Sequence, residues 1–203
     1  MHQKNIVKAG KANADKALIL VHGRGSNAND ILSLAQNFNA DNFALYAPNA
    51  TNNSWYPFSF MADPKTNEPW LSSALDLISE TISEIKKEGI KTENIYFAGF
   101  SQGACLISEF IARNAMKYGG AVIFTGGLIG DKIYNENYSG EFDGTPIFIG
   151  TSNPDFHVPV ERVYATTNIL KKLGAAVTEK VYDNIGHTII QDEIEMVNKL
   201  IFR

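Results

Sequence analysis

The five residues Gly99-Phe100-Ser101-Gln102-Gly103 constrain this chain more than any others. An apolar run at residues 94–98 precedes them and reads as a strand. A run with helical periodicity, residues 104–115, follows. A serine at the apex of such a strand–turn–helix sits in a strained conformation, with its hydroxyl lifted clear of the sheet. Strand and helix then pass so close that positions 99 and 103 tolerate only very small side chains, and both are glycine. The chain has 16 glycines in 203 residues, so the bare spacing also arises by chance. Its setting between strand and helix, and its partners downstream, give it weight.

The rest of the chain repeats the same alternation. Strand-like apolar runs fall at residues 17–22, 43–47, 94–99, 121–125, 146–150 and 177–182. Between them, apolar residues recur at helical spacing. Ile31, Leu34, Ala35 and Phe38 form one stripe, and Leu71, Ala74, Leu75, Ile78, Ile82 and Ile85 a longer one. Val160, Val163, Tyr164, Thr167 and Leu170 form a third, and Ile190, Ile194, Val197 and Ile201 the last. Gly89 and Gly174 stand where helix ends favour glycine. Such alternation predicts an α/β fold: a mostly parallel, doubly wound sheet flanked by helices, formed by residues 1–203 as a single domain without a separate cap. Ligands of such sheets bind beyond the carboxyl ends of the strands.

A net charge of −4 and the absence of a basic run argue against a nucleic-acid partner. Lys86-Lys87 and Lys171-Lys172 read as solvated helix ends. A single cysteine, Cys105, allows no internal disulfide and no cysteine-built zinc site. No secretory leader or membrane span is legible, so a cytoplasmic location without stable membrane association is the expectation.

A serine hydroxyl needs a base, and the base needs a carboxylate to fix its tautomer. On an elbow of this kind the order along the chain is Ser, then Asp or Glu, then His. Asp155, just past the strand at 146–150, and His187, just past the strand at 177–182, supply that order. Ser101 is therefore the expected nucleophile, His187 the general base and then acid, and Asp155 its orienter. His157 follows Asp155 by only two residues and would need another acid before it. Asp183 leaves its strand only four residues ahead of His187. Asp131 and Asp143 read as loop residues, and Glu109 and Asp192 as charges on helix surfaces.

Acyl transfer also needs donors for the developing oxyanion. The backbone N–H groups of Gln102 and Arg24 occupy the expected places, the second in the turn His22-Gly23-Arg24-Gly25 after an early strand. A surface salt bridge is the expectation for the Arg24 side chain, with an anionic group of the substrate as the alternative. His22 reads as a structural histidine, His2 as solvated, and Cys105 as a buried, inert thiol. Two long connections, residues 49–69 and 129–145, follow strand ends and carry aromatics, with Trp55 and Tyr56 as the expected pocket wall. Gly126-Gly127-Leu128-Ile129-Gly130 opens no helix, so it is not read as a dinucleotide loop. No grouping of His and acidic residues has metal-ligand spacing.

At Val21-His22-Gly23-Arg24-Gly25, Asp30, Tyr46-Ala47-Pro48-Asn49, the Gly99–Gly103 elbow, Asp155-Phe156-His157-Val158-Pro159 and Gly186-His187-Thr188-Ile189, the chain resembles the carboxylesterase/phospholipase branch of the α/β-hydrolases. That branch includes the acyl-protein thioesterases. The resemblance runs from the first strong strand to the last helix. It implies cofactor-free hydrolysis of carboxylic esters, with the triad on Ser101, Asp155 and His187 and the oxyanion donors on Arg24 and Gln102. Acyl-protein thioesterase-like members often carry leucine where Arg24 stands, and an arginine is more like the small bacterial esterases of the branch. A small-molecule ester with a short to medium acyl chain is the expected substrate, and a homodimer is compatible with this reading. The alternatives are a thioesterase or lysophospholipase of the same branch, and a non-catalytic binding protein of the same fold.

Overall fold

The computed structural model describes residues 1–203. Seven strands form one sheet: β1 (Ile6–Gly10), β2 (Lys16–Val21), β3 (Phe43–Pro48), β4 (Ile95–Phe100), β5 (Gly120–Phe124), β6 (Pro146–Asn153) and β7 (Ala176–Asp183). Their spatial order is β1-β3-β2-β4-β5-β6-β7. All neighbours are parallel except β1, which pairs antiparallel with β3. Five helices cover it: α1 (Ala28–Leu34), α2 (Trp70–Lys87), α3 (Gln102–Arg113), α4 (Val160–Lys172) and α5 (Gln191–Leu200). The arrangement is the α/β-hydrolase fold expected from the alternation of elements.

Alternation along the strands builds two cores, one on each face. Ala17, Ile19, Val21, Phe97, Ile123, Ile147 and Ile149 face one way, toward α2, α3 and α4. Leu18, Leu20, Ala98, Val122, Phe124 and Phe148 face the other, toward α1 and α5. The Val, Leu, Ile and Phe side chains among them each contribute about 1.5–3 kcal/mol when fully buried. Helix ends follow their local chemistry. Asn27 caps α1 by accepting the N–H groups of Asn29 and Asp30. Gly89 and Gly174, with φ of 90° and 81°, turn the chain just past α2 and α4.

Chain direction across the sheet reverses between β2 and β4. From β2 the chain steps to β3, crosses back through α2 to β4, and then proceeds the other way. A crevice forms at such a reversal, outside the carboxyl ends of the two strands. The Arg24 turn and the Ser101 elbow leave β2 and β4 there.

The edge strand β1 does not stand out in the sequence, and the residues ahead of it are not a solvated tail. The His2 ring accepts the Thr51 N–H at 3.1 Å through Nδ1 and donates to the Trp55 carbonyl at 2.9 Å through Nε2, and the His2 N–H donates to Ser73 Oγ. Partial burial lowers the pKa of this ring. No helix is long and apolar enough to cross a membrane.

Candidate active site

Ser101 has φ 54° and ψ −120°, a conformation that few non-glycine residues adopt. The strain persists because the surroundings over-determine it. The Ser101 N–H donates to the Phe124 carbonyl on β5, and the Ser101 carbonyl accepts the Cys105 N–H of the first turn of α3. A Cβ on Gly99 would lie 2.8 Å from the Gly103 carbonyl carbon, and one on Gly103 would lie 2.1 Å from the Val21 oxygen. Both glycines are sterically required, as the elbow spacing implied.

His187 and Asp155 come to the serine from the ends of β7 and β6. Ser101 Oγ lies 2.8 Å from His187 Nε2, and His187 Nδ1 lies 2.8 Å from Asp155 Oδ2. A carboxylate opposite Nδ1 fixes the proton there, so Nε2 accepts from the serine hydroxyl. Asp155 Oδ1 accepts the N–H groups of His157 and Val158 at 2.7 and 3.1 Å. Burial pushes the Asp155 carboxyl up, but the bonds from His187 and those two N–H groups outweigh it and leave the pKa below the usual value. Asp155 is ionised beside the imidazole.

The His187 ring lies between two others, Phe100 at 5.1 Å and His157 at 4.7 Å between centroids. No carboxylate reaches the His157 ring, so its relation to the site is lateral. Asp183, the rival acid, ends β7 at the surface.

The N–H of Gln102 is the first of α3 and has no intrahelical acceptor. The N–H of Arg24 likewise meets no acceptor in the turn after β2. Gly23 packs against Ser101, and a Cβ there would lie 3.5 Å from the serine Cβ. Two free donors thus flank the serine. His22 is buried, donates from Nδ1 to the Gly23 carbonyl and accepts the Ala50 N–H at Nε2. Burial lowers its pKa and holds it neutral, a structural role.

A cleft of about 880 Å³ opens on these groups. Ile31, Leu34, Tyr56, Phe58, Phe60 and Ile189 supply most of its apolar wall. Tyr56 belongs to the wall as expected from the sequence, but Trp55 does not. The Trp55 indole is fully buried, stacks near His22 and donates from Nε1 to the His22 carbonyl. The Trp55 ring is taken up by that packing, which leaves Tyr56 to face the cleft. The Gln102 side chain fixes the segment: its oxygen accepts the Trp55 N–H at 3.0 Å and its amide donates to the Tyr56 carbonyl at 2.9 Å.

The Arg24 side chain makes no salt bridge, contrary to expectation. It donates to Ser54 Oγ and to the carbonyls of Pro57 and Phe58, tying down the same segment. Glu109 corrects another expectation, because it is fully buried instead of lying on a helix surface. It accepts Arg113 Nε, the Ile129 N–H and the Tyr138 hydroxyl, and so anchors the connection after β5. The signal was present: Gly103–Ala112 is apolar on all sides apart from Ser108 and Glu109, as in a helix covered by a second layer. Cys105 is buried and burial pushes its thiol up to about 12, so it is inert as expected.

Similarity to known proteins covers nearly the whole chain. The family described as phospholipase/carboxylesterase matches residues 2–202. The crystal structure of a phospholipase/carboxylesterase from Dyadobacter fermentans DSM 18053 is 52% identical, with a TM-score of 0.98 over 100% of this chain and 98% of that one. An acyl-protein thioesterase 1 of Candida albicans is 27% identical over 96% of this chain and 94% of its own length. A probable carboxylesterase of Oryza sativa subsp. japonica is 27% identical over 64% of this chain and 55% of its own. The chain spans about half the length of the plant carboxylesterases it matches.

Proposed function

The chain belongs to the phospholipase/carboxylesterase family, and from that premise we propose that it hydrolyses carboxylic esters of short to medium acyl chains through Ser101, His187 and Asp155. The observation that carries the reading is the pair of 2.8 Å contacts running from Ser101 through His187 to Asp155. In the first step His187 Nε2 takes the hydroxyl proton while Ser101 Oγ attacks the ester carbonyl carbon. The carbonyl oxygen becomes an oxyanion between the N–H groups of Arg24 and Gln102. Collapse breaks the bond to the alcohol oxygen, which leaves with the proton from His187. In the second step His187 deprotonates a water, which attacks the acyl-enzyme, and the acid departs as Ser101 regains its proton. Asp155 stays ionised throughout and stabilises the imidazolium.

The open cleft and its short cover, residues 54–60, support short to medium acyl groups. An acyl-length series of aryl esters tests this, and an optimum at long chains counts against it. Ser101→Ala tests the chemistry: turnover of an activated short-chain ester is expected to fall by about three to six orders of magnitude. A near-normal rate in that variant would refute the assignment.

A thioester substrate is the second reading, favoured by the full-length match to the Candida albicans acyl-protein thioesterase. Paired oxoester and thioester substrates with the same acyl group separate the two. A non-catalytic binding protein has no activated serine, so stoichiometric labelling of Ser101 by a fluorophosphonate excludes it.

A further inference from the structure

Ser152 is fully buried near the end of β6 and bears no part in the chemistry above. Its hydroxyl donates to the Pro154 carbonyl at 3.2 Å. Its oxygen accepts the Ile185 N–H at 3.2 Å and the Gly186 N–H at 3.1 Å. One donor and two lone pairs are all a serine hydroxyl has, and every one is spent. Pro154 immediately precedes Asp155, and Gly186 immediately precedes His187. The ladder between β6 and β7 ends at Asn153, whose carbonyl accepts the Asn184 N–H. Between there and the Asp155–His187 contact, the Ser152 hydroxyl supplies the hydrogen bonds that cross from one loop to the other.

We propose that Ser152 is a positioning residue for ester hydrolysis, its hydroxyl fixing the loop of His187 against the loop of Asp155 so that the imidazole is aligned on Ser101 before substrate arrives. The proposal rests on the triad reading above. A single contact between imidazole and carboxylate lets the ring swing about it. Pinning the backbone at residues 185 and 186 removes that freedom on one side. On the other side Glu193 Oε2 accepts the Ile190 N–H at 3.0 Å. A misplacement of about 1 Å in such a site costs roughly 100-fold in rate.

Ser152→Ala tests this with three measurements on the purified protein. The kcat for an activated short-chain ester is expected to fall roughly 10- to 100-fold, with KM within about twofold. The rate of fluorophosphonate labelling of Ser101 falls by the same factor. The proton on His187 Nδ1, expected in the wild type as a downfield NMR resonance, broadens or vanishes in the variant. Ser152→Cys keeps a weak donor and acceptor at the same point and falls between the two, and it carries the test if Ser152→Ala does not fold. A variant that melts earlier but labels at the wild-type rate, or one whose loss lies wholly in KM, overturns the proposal. A wild-type protein that fluorophosphonate leaves unlabelled overturns the triad reading instead.

Discussion

A Cβ added to Gly103 would sit 2.1 Å from the carbonyl oxygen of Val21, closer than any real contact allows. The obstacle is backbone of the neighbouring strand, so neither side can yield cheaply. Gly103→Ala is expected to destabilise the protein by about 1–3 kcal/mol or more, a fall in Tm of roughly 3–10 °C. Activity falls further than stability, because α3 can retreat only by dragging Ser101. Thermal unfolding and kcat measured on one preparation check this, and an unchanged Tm contradicts it.

Asp155→Asn keeps the shape of the side chain and the acceptor for the His157 and Val158 N–H groups. It turns an N–H toward Nδ1, which forces the imidazole proton onto Nε2, where it blocks acceptance from Ser101. The kcat is expected to fall by about 10³- to 10⁴-fold with the fold intact. His187→Ala falls as far, and His157→Ala much less. A His157→Ala loss exceeding that of His187→Ala sinks the choice of base.

Gln102→Ala leaves the oxyanion N–H in place and removes the amide that holds Trp55 and Tyr56. The buried Trp55 N–H then lacks a partner, at about 1–3 kcal/mol, and the Tyr56 carbonyl keeps only the Ser54 hydroxyl. The wall of the cleft loosens, so KM rises by more than kcat falls. Steady-state kinetics over a range of ester concentrations decide it, and a loss confined to kcat argues for a different role.

Glu193 gives a prediction in pH. Burial pushes its carboxyl up to about 7 from an ordinary 4.5, and one oxygen, Oε1, has no partner. A carboxyl whose folded pKa is raised binds its proton more tightly in the folded state. Its stabilising contribution is therefore present below about pH 4.5 and lost as pH rises to 7. Glu193→Gln keeps an acceptor for the Ile190 N–H and never ionises. Its Tm is expected to exceed that of the wild type by more at pH 8 than at pH 4.5, the gap widening by the equivalent of about 3 kcal/mol. Melting curves at the two pH values test it, and a gap that narrows with pH refutes it.

The elbow, the order of acid and base, and the six strands after β1 were legible because each rests on a local pattern: close-packed glycines, apolar runs, residues just past strand ends. Strand β1 was not, since Ile6–Gly10 is largely exposed and its partner, β3, lies far along the chain. The direction of Trp55 depended on a hydrogen bond to His22, and the burial of Glu109 on a connection folding over α3. Ser152 looked like any strand-end serine, and only the meeting of two distant loops makes its hydroxyl distinctive. Tertiary placement decided each of these, and no local pattern reports it.

Strands β6 and β7 are in register from Pro146 to Asn153, whereas β5 meets β6 only from Ala121 to Phe124. Acid and base therefore ride on one stiff plank, and the nucleophile on another across a shorter seam. A shift at that seam parts the hydroxyl from the imidazole while leaving the imidazole–carboxylate pair whole.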